Sequence, residues 1–361
     1  MNLYVIGVNY KKTPIEIREK FSIEQEEYEK MLSGFKKLEG VSECALLSTC
    51  NRTEIHVFSE INLLDTGNIE KNFCLLKGLD SHRMKKYFYV YEGINAIKHI
   101  IKVASGMDSM ILGEDQILGQ FRKAYELSMK YGTSKAVLNT LSRLAVTSSK
   151  KIKTRSLLLG KASSVSGQVV QLLQQVYCKE LSSRNILVIG SGETGTAVCQ
   201  KLLAAGAAKI YMTRRSRIIS TDYDTVSTHD DNKVIIIDYN DRYSYIDQSD
   251  VIIGATSSPH YTITQDILEE TLLNRTKEHI FIDLAVPRDF DEAINEVKNV
   301  ELYNIDQLKE IISSSPKSER KFDHDYISEQ IDSHTEEFIK WYRKRNIYAG
   351  VQKMTLWNGG N

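Results

Sequence analysis

A thiol and a glycine loop are the parts of this sequence that carry chemistry. Cys50 lies in the run Leu46-Leu47-Ser48-Thr49-Cys50-Asn51-Arg52-Thr53-Glu54, and much later comes Gly190-Ser191-Gly192-Glu193-Thr194-Gly195. A cysteine can hold an acyl group as a thioester. A nicotinamide bound at such a loop can deliver hydride to that thioester. Together they point to reduction of an activated carboxyl group to an aldehyde; neither half points there alone.

Free cysteine most often packs as a small buried hydrophobe. Against that reading, Thr49, Asn51, Arg52 and Thr53 are all polar, and a guanidinium two residues away favours a thiolate. Arg52 has a second reading: its planar fork could pair with a substrate carboxylate. His99, in Ile97-Lys98-His99-Ile100-Ile101, is either a satisfied interior histidine or an active-site group. The stretch from Ser105 to Gln120 is polar and glycine-rich. Its Glu114 and Asp115 either complement a helix dipole or, with nearby amides, recognise an ammonium group.

The glycine loop has the context such a motif requires. The strand-like run Ile186-Leu187-Val188-Ile189 precedes it and a helical pattern through Ala197 and Leu202 follows. The glycines let the backbone approach a pyrophosphate lying on a helix N-terminus. At the end of the next strand, where a carboxylate would bind an NAD ribose, stand Arg214 and Arg215, which favour the 2′-phosphate of NADP.

The elements around these residues read in three parts. Residues 3–8, 45–47 and 55–58 read as strands, with a helix-like stretch over 22–38 and helical periodicity from Gly93. Apolar runs at 186–189, 209–212, 234–237, 251–253 and 280–282 alternate with helical segments, the pattern of a parallel sheet covered on both faces. Ile327, Ile331, His334, Phe338 and Trp341 then form one amphipathic helical stripe, ending near Asn346. The expected domains are an N-terminal α+β catalytic domain over 1–156, a Rossmann-type NADP-binding domain over 157–310, and a C-terminal helical region over 311–361.

Composition narrows the class. The balance of 47 basic and 47 acidic residues makes the whole chain no trap for polyanions. Local basic runs at Arg83-Met84-Lys85-Lys86, Lys150-Lys151-Ile152-Lys153-Thr154-Arg155 and Arg343-Lys344-Arg345 read as solvated faces or as phosphate contacts. The five cysteines, Cys44, Cys50, Cys74, Cys178 and Cys199, show no CxxC pairing. Neither a disulfide framework nor a metal site is therefore expected, and a reducing cytoplasm is the expected setting. The N-terminus has no signal-peptide pattern, and no apolar run is long enough to suggest a membrane span.

Several longer motifs, in order, carry a resemblance. Gly7-Val8-Asn9-Tyr10-Lys11-Lys12-Thr13-Pro14 with Arg18-Glu19, the Cys50 run, Ala104-Ser105-Gly106-Met107-Asp108-Ser109, and Leu112-Gly113-Glu114-Asp115-Gln116-Ile117-Leu118-Gly119-Gln120 are the first of them. Ile282-Asp283-Leu284-Ala285-Val286-Pro287-Arg288-Asp289 and Leu302-Tyr303-Asn304-Ile305-Asp306-Gln307-Leu308 complete the set. With these the chain resembles the bacterial glutamyl-tRNA reductases along nearly its whole length. The resemblance implies that Cys50 attacks the ester of glutamyl-tRNA and that NADPH reduces the thioester to glutamate-1-semialdehyde, opening tetrapyrrole synthesis. It implies that Thr49, Asn51, Arg52, Ser109, Glu114, Asp115, Gln116 and Gln120 surround the glutamyl group, and that His99 matters for activity. It also implies a long spinal helix, a homodimer, and glutamate-1-semialdehyde aminomutase as an acceptor of the product.

The sequence departs from the family pattern in places. Tyr10 replaces a usual histidine, and Thr154-Arg155-Ser156 replaces Thr-Glu-Thr. The chain stops soon after Trp341-Tyr342, so dimerisation by the usual helices is not expected. Those departures leave two alternatives: a regulatory paralogue that binds aminoacyl-tRNA, or an NADP oxidoreductase acting on a free small molecule.

Overall fold

The computed structural model describes residues 1–61, 64–110, 112–113, 116–159, 164–177, 180–215, 233–313 and 323–358. The chain divides into two compact units, Met1–Ala162 with Arg320–Asn361, and Ser163–Glu319. Among the described residues no helix is long and apolar enough to cross a membrane.

The first unit is built on strands β1 (Asn2–Asn9), β2 (Glu43–Ser48), β3 (Arg52–Ser59) and β4 (Tyr89–Glu92). They form an antiparallel sheet in the order β2-β3-β1-β4. Its helices are α1 (Ile15–Arg18), α2 (Tyr28–Lys36), α3 (Thr66–Leu76), α4 (Ser81–Met84), α5 (Gly93–Ala104), α6 (Gln116–Lys130) and α7 (Ala136–Leu159). Because side chains alternate along a strand, each face of the sheet has its own core. Leu3, Val5, Ala45, Leu47 and Phe58 pack with the apolar faces of α5, α6 and α7. Tyr4, Ile6, Val8, Leu46, Ile55 and Val57 pack with α2 and α3 on the other side. Glu43 on β2 accepts hydrogen bonds from Lys135 N, Val137 N and Leu138 N at 2.9–3.0 Å. One buried carboxylate thus satisfies several orphan donors at the start of α7.

The helix expected over 22–38 is shorter than its periodicity suggested. Ser22 is extended at φ −58°, ψ 142°, and a single turn over Gln25–Glu27, boxed between Glu24 and Glu27, precedes α2. β4 and α3 had no clear signal in the sequence. The strand is too short, and the helix too polar at its start, for a period to register.

The second unit contains α8 (Val165–Val176), β5 (Asn185–Ile189), α9 (Glu193–Ala204), β6 (Lys209–Arg214), β7 (Val234–Asp238), α10 (Arg242–Ile246), β8 (Val251–Gly254), α11 (Gln265–Thr271), β9 (His279–Asp283), β10 (Val300–Asn304) and α12 (Ile305–Ser313). Its sheet is wholly parallel, in the order β10-β9-β8-β5-β6-β7. This is the doubly wound arrangement, with its switch point between β5 and β8, where such folds bind ligands beyond the strand ends. The central strands are buried apart from Asn185 at the start of β5, which is why they read as unbroken apolar runs. β10 is mostly half-exposed and escaped notice.

The final helix, α13 (His324–Asn358), belongs to the first unit and packs on α7 and α5. Its expected stripe is real: Ile327, Ile331, His334 and Phe338 are buried. Lys98 on α5 pairs with Asp332 at 2.7 Å. The helix does not stop near Asn346 as the stripe suggested, because no glycine or proline interrupts residues 342–349.

Candidate functional site

Cys50 and Asn51 form the tip of the β2–β3 hairpin. Thr49 N donates to Arg52 O at 2.8 Å, while Thr49 Oγ1 accepts from Asn51 N and Arg52 N, each at 3.2 Å. Both tip carbonyls are tied from outside the hairpin. Arg18 Nε donates to Cys50 O and Tyr10 N donates to Asn51 O, both at 2.9 Å. Arg18 is itself fully buried and also bonds Thr13 O. The backbone under the thiol is therefore fixed, while Cys50 is half-buried rather than a core cysteine. Cys44, Cys74 and Cys199 are buried, and burial pushes their thiols up. Asn51 Oδ1, on the residue after Cys50, is buried with no hydrogen-bond partner.

Behind the tip lies a buried ionic network that sequence reasoning missed. Arg52, Glu54 and His56 alternate along β3 and turn to one face. Glu54, fully buried, accepts from Arg52 Nη1 at 2.6 Å, His99 Nε2 at 2.9 Å and His56 Nε2 at 3.1 Å, and from the Tyr89 hydroxyl. Burial would push the Glu54 carboxyl up, but His99, Arg52 and the histidine hydrogen bonds outweigh it and hold it well below the ordinary range. Burial drives His56 below its usual value, only partly offset by Glu54. Neutral His56 therefore carries its hydrogen on Nε2, leaving Nδ1 to accept from Tyr125 OH at 2.8 Å. Burial, reinforced by Glu54, raises the Tyr89 phenol.

Arg52 is buried, and the fork read as a carboxylate partner is already occupied from within the protein. Its Nη2 donates to Asp108 Oδ2 at 2.9 Å and to the Asp108 carbonyl, and the second Asp108 oxygen takes Lys11 Nζ. His99 is buried, as its apolar setting suggested, yet it also bonds Glu54 and stacks on Tyr91 with centroids 4.4 Å apart. Ser109 is buried beside Asp108 in the turn after α5. Gln116 and Gln120 sit half-buried on the first turns of α6, which packs on β2. Glu114, Asp115 and Cys178 lie outside the described residues. The signal that could have found Glu54 and His56 is a charged residue at every second position of a buried strand.

In the second unit, the glycine loop joins β5 to α9. Gly190 has φ +112°, and a Cβ there would meet Ala255 O at 2.7 Å. A Cβ on Gly195 would lie 2.0 Å from Gly190 O, whereas one on Gly192 would meet nothing within 4 Å. The first and third glycines thus permit a tight turn and close helix packing. The second leaves open space at the start of α9, where no side chain caps the helix. Ser191, Glu193 and Thr194 complete the loop and the first turn. These features fit a dinucleotide pyrophosphate. Gly190 N is held by Thr213 Oγ1 at 3.0 Å. Arg214 closes β6, and the exposed Arg215 lies over the Tyr239 ring at 4.7 Å. Asp289 accepts from Thr256 N at 2.8 Å and from its hydroxyl, holding the strand-end segment that abuts Gly190. Burial, only partly offset by the Thr256 bonds, pushes the Asp289 carboxyl up to about 6.

The altered Thr154-Arg155-Ser156 segment has a local partner. Arg155 pairs with Asp323 at 3.5 Å and lies over Tyr326 at 5.7 Å.

Comparison with known proteins follows the same division. Residues 6–156 match the family model described as glutamyl-tRNAGlu reductase, N-terminal domain, and residues 171–311 match that of shikimate / quinate 5-dehydrogenase. The chain is 33% identical over 353 residues to a glutamyl-tRNA reductase of Thermodesulfovibrio yellowstonii, covering 94% of this chain and 80% of that one. It is 34% identical over 352 residues to one of Clostridium novyi, covering 96% and 81%. The solved glutamyl-tRNA reductase from Methanopyrus kandleri aligns with a TM-score of 0.50 at 25% identity, covering 97% of this chain and 84% of that one.

Proposed function

The chain belongs to the glutamyl-tRNA reductase family, and from that premise we propose that it reduces glutamyl-tRNA to glutamate-1-semialdehyde, the first step of tetrapyrrole synthesis. One observation carries the reading to particular atoms: a half-buried cysteine thiol at a hairpin tip whose two carbonyls are tied down. A nucleophile on a fixed backbone loses little orientation entropy on attack.

In this reading Cys50 Sγ attacks the acyl carbon of the glutamyl ester, the carbon–oxygen bond breaks, and tRNA leaves with a proton on its ribose oxygen. His99, oriented by Glu54, is assigned that proton. Arg52 takes the γ-carboxylate, and the unpartnered Asn51 Oδ1 accepts from the substrate's ammonium group. Thr49 shapes the tip, Ser109, Gln116 and Gln120 line the glutamyl group, and Glu114 and Asp115 supply further negative charge for the ammonium. Gly190, Gly192 and Gly195, with the backbone amides of Ser191, Glu193 and Thr194, hold the dinucleotide, and Arg214 and Arg215 select NADPH by its 2′-phosphate. When bound, a reduced nicotinamide supplies the hydride that converts an acyl thioester to an aldehyde and free thiol. The product carries an amine beside an aldehyde and is labile, so an acceptor enzyme such as glutamate-1-semialdehyde aminomutase suits it as a partner.

The test is NADPH oxidation by the full chain with glutamyl-tRNA. Oxidation is expected to require the charged tRNA, to fall sharply with NADH, and to vanish in Cys50→Ser. Full activity in that variant, or turnover without tRNA, overturns the reading.

A further inference from the structure

Arg52 makes ion pairs with two carboxylates that differ in kind. Glu54 is 0% exposed and is locked by His56, His99 and Tyr89 as well. Asp108 is 14% exposed, lies in the irregular turn after α5, and shares its other oxygen with Lys11, which is 50% exposed. A ligand reaching Arg52 from solvent therefore meets Asp108 first.

The charges sharpen the point. Lys11 and Arg52 carry two positive charges, Glu54 and Asp108 two negative ones, so the quartet is already neutral. The donors are taken as well: Arg52 gives Nη1 to Glu54 and Nη2 to Asp108, and Lys11 gives its Nζ to Asp108. A third carboxylate brought to Arg52 would find both of its terminal nitrogens occupied and would meet Asp108 as a like charge in a largely buried site, which is costly. Both the donors and the balance of the Lys11-Arg52-Glu54-Asp108 quartet are recovered if Asp108 leaves as the newcomer arrives. An amide side chain could not make that exchange, because it would leave the two cations with Glu54 alone.

We propose that Asp108 is a displaceable stand-in for the substrate's γ-carboxylate: the incoming group takes its place on Arg52 Nη2 and Lys11 Nζ, and the Asp108 side chain moves to solvent. This makes Asp108 and Lys11 specificity-determining residues, and it rests on the reading of Arg52 as the γ-carboxylate receptor. Without the Asp108 carboxylate Arg52 would keep Glu54 but its buried Nη2 would lose its charged acceptor; Asp108 supplies one until the substrate comes.

The experiment is calorimetric titration of the full chain with isoglutamine, whose γ-carboxylate is free and whose α-carboxyl is an inert amide, against glutaminamide, which lacks any carboxylate. Asp108→Asn removes the internal competitor and should tighten isoglutamine binding by about tenfold, the worth of one charge-assisted hydrogen bond, without tightening glutaminamide. The KM for glutamyl-tRNA should fall in parallel. Asp108→Ala should behave likewise, and Lys11→Met should weaken isoglutamine binding. If Asp108 is fixed scaffolding, Asp108→Asn and Asp108→Ala will weaken isoglutamine binding or leave it unchanged, and either result overturns the proposal. Tightened carboxylate binding in a protein that fails to turn over glutamyl-tRNA would sink the proposed function while leaving this exchange standing.

Discussion

Replacing Glu54 with glutamine keeps the shape of the buried network and removes its charge. In the wild type this carboxylate receives Arg52, His56, His99 and Tyr89 with no exposure to solvent. Breaking a buried ion pair from one side typically costs about 3–5 kcal/mol, because the remaining charge is stranded. Asp108 still faces Arg52 and lowers that figure. The amide NH2, however, points a donor at donors, leaving at least one group unsatisfied at about 1–3 kcal/mol. Together these give a loss on the order of 4 kcal/mol, or about 10 °C in Tm for a unit of this size. Tyr125→Phe, which removes only the bond to His56 Nδ1, should cost about 1 kcal/mol. The assay is urea unfolding of both variants, with Arg52→Met completing a double-mutant cycle. The pH dependence has a definite sign. The folded-state pKa of Glu54 is depressed, so its contribution is present above the unfolded value of about 4.5 and is lost as pH falls through the folded one. The deficit of Glu54→Gln should therefore shrink on acidification. A loss under about 1 kcal/mol, or a coupling to Arg52 near zero, would refute the network as an energetic unit.

Other substitutions probe separate parts of the molecule. Gly195→Ala places a Cβ 2.0 Å from Gly190 O, where only backbone can yield; thermal unfolding should show a loss of about 1–3 kcal/mol, and fluorescence titration no NADPH binding. Gly192→Ala meets nothing within 4 Å and has φ −73°, so it should melt like the wild type and lose only cofactor affinity. Asp289 has a folded pKa raised to about 6, so its ionisation opposes folding increasingly as pH rises through that value. Relative to Asp289→Asn, the wild type should gain on the order of 1 kcal/mol between about pH 7.5 and pH 5 in urea titrations; a gain in the opposite direction contradicts the assignment. Phe338 is fully buried and stacked on Trp341 at 5.6 Å, so Phe338→Ala should cost about 3–5 kcal/mol by the same assay.

The parts of the fold that were legible in the sequence were those whose burial leaves a period. The strands of the second unit are flanked by helices on both faces, so Ile186 to Ile189 and Val251 to Ile253 stand out as apolar runs. Edge elements such as β4 and β10 are partly exposed, and nothing in Tyr89-Val90-Tyr91-Glu92 separates strand from loop. The site divides in the same way. Cys50, Arg52 and His99 were visible as residue types with chemistry. Glu54, Asp108, Tyr89 and Tyr125 were not, because each acquires its role from a partner far away in sequence: Tyr89 is paired to Glu54 across the sheet, and Asp108 reaches back from the end of α5 to Arg52.

β3 holds two opposite solutions to burial. Its Ile55 and Val57 face an apolar core, while Arg52, Glu54 and His56 on alternate positions bury charge behind the thiol-bearing tip. Packed apolar residues in place of such a cluster would often be as stable or more so. The ionic face is therefore poorly explained as a stabilising device. It is better explained as a mount. Glu54 fixes the guanidinium plane of Arg52 and one nitrogen of His99 from the interior, so both groups present a defined outer edge. Among the described residues of this network, the carboxylate on the solvent side is that of Asp108. Rigidity is thus concentrated beneath the thiol, and freedom is placed in the Asp108 carboxylate with its pairs to Arg52 and Lys11.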